Sequence, residues 1–428
     1  MLQIARSISS LLAAVGLLML GSGTLSSLVS LRLSEAGTGT MAIGLITAAY
    51  FAGLTAGSLQ AHRIILRVGH IRAFSAFAAA FSAAALSHVL AFALPAWGAL
   101  RLVEGFCMAG LYMCIESWLN DKATSRTRGQ MLSLYMITLY GAVGLGQQFL
   151  NLPDPTGMQR FVVIAILLSL ALIPVALTRA TAPTLPDIRS FGFRRLYQAS
   201  PLGVVGAFVS GGVSGAIYGL GPVFGAESGF GTAGTALFMT CVILGGVGLQ
   251  WPLGRLSDRF DRRSVIIGLS AALTLVSLGM VMAAGLRGPG VLLALSLLFG
   301  GLSFTLYPLS ASHTNDHVER VDLVAASGGL IFANSVGATI GPLVASVGMS
   351  MAGPPGLFGF TGAAALAATL FGLWRTRMRA APAAEAQGPF QALPGTTPVA
   401  TPLHPHAEEE NGLRPAGDQS PAKRSVER

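Results

Sequence analysis

Charge is scarce in this chain: 11% of its 428 residues are Asp, Glu, Lys or Arg, against roughly 25% in an ordinary soluble domain. With 52% of residues hydrophobic, a soluble enzyme of this length is excluded. Cysteine is nearly absent: Cys107, Cys114 and Cys241 are odd in number and lie in apolar stretches. They offer neither a disulfide framework nor metal-ligand spacing and are read as small packing residues. There is no GxxxxGK[ST] stretch, so ATP hydrolysis by this chain is disfavoured. No nucleophile, metal cluster or suitably spaced carboxylate pair points to a membrane-embedded enzyme. No cofactor and no metal are expected. His313 and His317 are four apart and could share a helix face, but without a third ligand a solvated helix end is preferred.

What is present is apolar sequence in runs of about 20 residues, the length that crosses a hydrocarbon core of roughly 30 Å. The runs fall at 5–31, 40–61, 71–93, 96–119, 130–150, 160–179, 199–222, 232–253, 264–285, 290–312, 323–347 and 355–376. The predicted fold is therefore an all-α integral membrane protein of about twelve spans. The formal charge of +9 would suit nucleic acid if the cations were clustered for it, but their placement gives another reading. The connections holding Arg63, Arg67 and Arg72, Lys122, Arg126 and Arg128, Arg179 to Arg195, Arg255 to Arg263, and the C-terminal segment all fall on one side. Only Arg32, Arg160 and Arg287 fall on the other. This is the positive-inside bias. It predicts a bacterial-type inner membrane, both termini cytoplasmic, a lipid environment and no nucleic-acid partner. Trp97, Trp118, Trp251 and Trp374 all fall near span ends, where an amphipathic ring suits the headgroups. The first apolar run is too long for a signal peptide and lacks a small-residue cleavage site.

Six spans precede the polar stretch from Arg179 to Ser200 and six follow it. The expected organisation is an N-terminal six-helix bundle (1–180), an inter-bundle linker (181–198), a C-terminal bundle (199–376) and a disordered cytoplasmic tail (377–428). The halves echo each other. A basic loop beginning at Gly57 follows the second span and another beginning at Gly254 follows the eighth, while glycines mark spans five (Gly141, Gly144, Gly146) and eleven (Gly337, Gly341). Such repeats are the sequence trace of two related bundles.

The loop Gly254-Arg255-Leu256-Ser257-Asp258-Arg259-Phe260-Asp261-Arg262-Arg263 resembles the signature loop of the major facilitator superfamily, with Asp261 where that family usually has glycine. The first-half copy keeps Gly57, Arg67, Gly69 and Arg72 but has Ala61 in place of the aspartate. Arg101-Leu102-Val103-Glu104-Gly105 is similar to the family's second motif. The stretch from Arg101 through Glu116-Ser117-Trp118 to Arg126-Thr127-Arg128-Gly129-Gln130 resembles a largely uncharacterised bacterial branch, the YcaD-like group. Span five has Gly146-Gln147 where drug antiporters of the family have glycine-proline. The resemblance implies two bundles around a cavity lined by helices one, four, seven and ten. It also implies a conformational latch at Gly254, Asp258, Arg259, Arg262 and Arg263, with Arg126 or Arg128 as a partner. The alternative for those charges is ordinary positive-inside anchoring.

Ionisable groups inside a span cost on the order of 2.5–3.5 kcal/mol each on insertion scales, and span four has three. At about 100° per residue, Arg101, Glu104, Met108, Tyr112 and Glu116 share one helix face. Arg101 and Glu104 are close enough to pair, and Glu116 lies about 22 Å further along the axis. One reading has Arg101 anchoring an anionic group or tuning Glu104, with proton exchange at Glu104 or Glu116. The other is a permanently charged pair plus an interfacial glutamate. Gln147, Gln148, Asn151, Gln250 and Asn334 need hydrogen-bond partners in a bilayer. They are inter-helix ties or, for Gln147 first, solute ligands. Tyr218 and Tyr307 would offer a solute an aromatic wall and a hydroxyl. The expected function is secondary transport of a small solute by alternating access, compatible with coupling to protons. The alternative is a non-transporting membrane sensor or partner-binding protein of the same fold.

Overall fold

The computed structural model describes residues 8–90, 92–124, 127–177, 192–284, 289–319, 322–378, 388, 390 and 395–397. Fourteen α-helices run through them. The first half holds α1 (Ser9–Glu35), α2 (Thr40–Val68), α3 (His70–Ser87), α4 (Leu94–Lys122), α5 (Arg128–Gly146) with a 3-10 extension (Gln147–Asn151), and the broken pair α6 (Gln159–Leu170) and α7 (Leu172–Ala176). A short α8 (Phe193–Ala199) leads to α9 (Pro201–Glu227), α10 (Gly231–Arg259), α11 (Arg262–Ala283), α12 (Pro289–Asn315), α13 (Leu323–Ala352) and α14 (Gly356–Thr376). Among the described residues ten helices, α6 and α7 counting together, are long and apolar enough to cross a membrane. The remaining two, α3 and α5, are 18 and 19 residues long, and 18 residues rise about 27 Å. They complete six spans per half. Two helices outrun their apolar stretches: α2 continues to Val68, and α10 runs through Pro252 and Gly254 to Arg259.

The helices meet through backbone contact at glycines, and the same geometry appears in both halves. A methyl on Gly53 would overlap the carbonyl oxygen of Leu102, and one on Gly105 would overlap that of Tyr50. Between α10 and α12 the corresponding pairs are Gly245 with Leu297 and Gly300 with Val242. In all four cases the carbonyl belongs to the residue three before the facing glycine. The rule repeats between α9 and α13, where Gly211 meets Asn334, Gly337 meets Phe208 and Gly341 meets Gly212. It holds again between α1 and α5, where Gly23 meets Val143 and Gly146 meets Leu20. The two bundles are thus built on one packing scheme, visible in sequence only as scattered glycines.

Successive helices alternate direction, so one face carries the turns at Gly69, Ala123, Phe260 and Asp316, and the opposite face those at Gly37, Asp154, Gly229 and Gly353. On the first, basic face, Gly69 turns α2 into α3 at φ +85°, a conformation that favours glycine. The matching turn in the second half uses no positive φ. Asp261 caps α11 there, accepting from the Arg263 N–H at 3.2 Å and the Ser264 hydroxyl at 3.1 Å. The departure from the family's glycine is a helix cap. The described part of the linker, α8, is tied to α13 by Arg195–Asp322 at 2.8 Å; residues 178–191 lie outside the described residues.

Gly105→Val must push α2 and α4 apart, whereas Gly141 has open space around its missing side chain. Overpacking costs about 1–3 kcal/mol. Thermal unfolding in detergent will show Gly105→Val melting well below wild type and Gly141→Val close to it.

Candidate functional site

Between the halves lies a cavity of about 200 Å³. The first half supplies Met19, Ser22 and Ser26 from α1, Tyr50 and Phe51 from α2, Tyr112 from α4 and Tyr140 from α5. The second supplies Ser210, Ser214 and Tyr218 from α9, Phe304, Tyr307 and Pro308 from α12, and Asn334 from α13. None of the described lining residues is Lys, Arg, Asp or Glu. Phe304 is the centre of an aromatic ladder. Tyr218 stacks on it with centroids 5.6 Å apart at 19°, and Tyr140, from the other half, at 6.0 Å and 26°. Pro308 cannot donate to the Phe304 carbonyl, which loosens the α12 backbone beside the ladder.

The polar stripe on α4 divides into three parts. At its upper end Arg101 donates to Glu104 Oε2 at 2.8 Å and to the Ser26 hydroxyl at 3.1 Å, and its guanidinium lies 4.2 Å from the centroid of the Tyr50 ring. Glu104 is fully buried. Its other oxygen has no hydrogen-bond partner among the described residues and stands 3.4 Å from His88 Nδ1. The His88 ring stacks on Phe161 and meets the edge of Trp97. Arg101 borders a small side chamber with Ser30, Thr47 and Tyr218 and does not line the main cavity, so its charge is spent on Glu104. In the middle, Tyr112 reaches the cavity and donates to Met19 Sδ at 3.5 Å. At the basic end the buried Glu116 accepts from the Tyr135 hydroxyl at 3.2 Å and from the hydroxyls of Thr396 and Thr397.

Of the residues singled out in the sequence, Tyr112, Tyr218 and Tyr307 come together on the cavity, and Glu116 adjoins it through Thr396. Gln147 lies off it, where it accepts from Ser27 and donates to the carbonyls of Gly23 and Val143, joining α1 to α5. Asn334 lines the cavity and donates to the Ala207 carbonyl at 3.0 Å. In the charged loop the buried Arg262 lies 3.5 Å from Asp258 and 2.5 Å from Asp316, and it donates to the carbonyls of Ser312 and Gly388. Arg263 lies 3.6 Å from Asp261, Arg259 ends α10, and Gly254 packs against the Phe390 ring. Burial holds the Asp316 carboxyl above its usual range, against the downward pull of Arg262 and the Gly388 N–H. Arg126, named as a latch partner, lies outside the described residues, and Arg128 is buried. Tyr50, Tyr140, Phe304, His88 and Asp316 were not picked out from sequence. The first three look like ordinary core aromatics until the facing helix is known, whereas Asp316, one residue beyond α12, could have been matched to the basic loop.

The profile of the Major Facilitator Superfamily matches residues 11–326 and, in a second alignment, 204–409. The chain belongs to the major facilitator superfamily. It is 30% identical over 340 residues to the "Uncharacterized MFS-type transporter YcaD" of Escherichia fergusonii, covering 79% of this chain and 87% of that protein. Among solved structures, the nucleoside transporter NupG superposes with a TM-score of 0.70 at 13% identity, over 86% of this chain and 98% of that one. A bacterial homolog of the human lysosomal transporter Spinster, inward-facing and occupied, also gives 0.70 at 12% identity, over 90% and 98%. At such identities the superpositions show the fold alone. As a major facilitator of the YcaD-like branch the chain is a multi-pass membrane transport protein, with the two-bundle, all-α fold expected from its sequence.

Removing one partner of the Arg101–Glu104 pair strands a buried charge, at a cost of about 3–5 kcal/mol, whereas replacing both with apolar groups is close to neutral. Arg101→Leu alone will therefore lower the melting temperature in detergent sharply, and Arg101→Leu/Glu104→Leu will recover most of the loss.

Proposed function

We propose that the chain is a secondary carrier of a bacterial inner membrane, working by alternating access, with its basic face and both termini in the cytoplasm. The observation that supports this most strongly is the asymmetry of contact between the halves. Toward the face opposite the basic one they are closed on each other: Thr40 donates to the Ser346 carbonyl at 3.4 Å, Thr47 packs on Gly219, and Thr240 donates to the Gly144 carbonyl at 3.1 Å. Toward the basic face they are separated widely enough for residues 395–397 to stand between Glu116 of one half and Tyr307 of the other. A central cavity closed on one side and parted on the other is one end state of a rocking carrier. The basic loops support a cytoplasmic parted side.

The cavity wall supports a solute class. Hydroxyls, an amide and stacked rings without a fixed charge suit an uncharged, ring-bearing solute with hydroxyl groups. An anionic solute is disfavoured because Arg101 is already held by Glu104. Proton exchange is assigned to Glu116, whose partners are all neutral hydroxyls.

Two experiments test this reading. The Cβ position at Gly144 lies 4.0 Å from that of Ile243 across the closed seam, within disulfide range. In a cysteine-free background that also carries Thr396→Val/Thr397→Val to free the basic-face mouth, used for both experiments, Gly144→Cys/Ile243→Cys will cross-link under mild oxidant. In proteoliposomes the cross-link will stop uptake of radiolabelled ribonucleosides or pentoses, and reductant will restore it. Uptake that continues while cross-linked would contradict alternating access, and absence of uptake in the reduced protein would contradict the solute class. Glu116→Gln will keep solute exchange between equal pools but lose accumulation driven by an imposed proton gradient.

A further inference from the structure

Beyond Met378 five residues of the C-terminal segment are described, 388, 390 and 395–397, and each meets the transport machinery. The Gly388 N–H donates to Asp316 at 3.0 Å, and its carbonyl accepts from Arg262 at 2.6 Å. The Phe390 N–H donates to Asp258 at 2.6 Å, and its ring covers Gly254. Gly395 lies against the Tyr307 ring and, with Thr396, forms part of the cavity wall. Thr396 and Thr397 each donate to a different oxygen of Glu116.

We propose that the mouth of the cavity on the basic face is a peptide-binding groove, and that the chain's own C-terminal segment occupies it as a tethered plug. Three independent chemistries converge on the assignment. The charged loop recognises backbone: Asp316 takes the Gly388 N–H, Asp258 takes the Phe390 N–H, and Arg262 takes the Gly388 carbonyl. Glycine allows the close approach at both contact points. A side chain on Gly254 would collide with Phe390, and one on Gly395 would press on Tyr307. The two threonine hydroxyls complete the hydrogen bonding of a buried carboxylate that otherwise has Tyr135 alone among the described residues. With the plug seated, the halves cannot close on the basic face and Glu116 is capped, so carriage is arrested in the parted state. The charged loop then acts as the catch for the plug as well as a tie between helix ends.

The test needs no transported solute, so it stands or falls separately from the carrier reading. In full-length protein without its native cysteines, Ser214→Cys places a thiol on the cavity wall. Its reaction with a polar maleimide in detergent reports whether the mouth is stoppered. Thr396→Val/Thr397→Val removes two charge-assisted bonds and will speed labelling about tenfold or more. Gly395→Trp, which cannot lie against Tyr307, will do the same by a different route. Both changes lie outside the bundles and will leave the melting temperature within a few degrees of the parent. Labelling that is equally fast with the native segment, or unchanged in both variants, overturns the proposal.

Discussion

Helices in a bilayer gain little by exchanging lipid contact for one another's apolar side chains, so their association depends on how closely their backbones approach. In this protein the approach is set by glycines that each face the carbonyl three residues before a partner glycine. Four helix pairs, two in each half, are held this way, and the aromatic and charged features hang on them. Tyr50 illustrates the dependence. Its carbonyl touches Gly105, and its ring carries the guanidinium of Arg101, so the α2–α4 contact also determines where the buried ion pair sits.

On the proposed rocking of the two bundles, function falls to the surfaces between them. The closed seam is made of small residues and single hydroxyl–carbonyl bonds, Thr40 to Ser346 and Thr240 to Gly144. Such contacts hold a face shut without making it permanent. The cavity is lined mainly by aromatic rings and hydroxyls, and its charges stand back from it: Arg101 and Glu104 neutralise each other, and Glu116 is reached through hydroxyls. On the proposed reading a solute would meet stacking surfaces first, with one carboxylate at the basic end.

Much of this was legible in the sequence, for physical reasons. Spans are legible because hydrocarbon thickness dictates run length, and the charged loop because its spacing is local. The Arg101–Glu104 pairing is legible because residues three apart on a helix are neighbours. Which neighbour a side chain meets across space is not legible. Gln147 reads equally well as a solute ligand or a tie until Ser27 is seen opposite it, and Phe304 reads as core until Tyr218 and Tyr140 are found against it. The C-terminal segment is the clearest case. Its proline-rich, polar composition gives no apolar periodicity, which is the mark of a chain that cannot fold by itself. Its described residues 388, 390 and 395–397 meet groups supplied by the bundles, and these are invisible along the chain.

Rocking of two rigid halves is the central claim, and a wedge tests it most directly. Ser346→Trp at the closed seam, where Gly44 leaves no room for a larger group, forces that face apart. Spin labels at Leu66 and Phe260, both exposed at the basic face on opposite halves, report the other face by pulsed electron resonance in nanodiscs. Rigid rocking predicts that, in a background carrying Thr396→Val/Thr397→Val to clear the basic-face mouth, the wedge shortens the distance between the labels. A distance that stays the same or lengthens, in a variant that still melts cooperatively, contradicts the account.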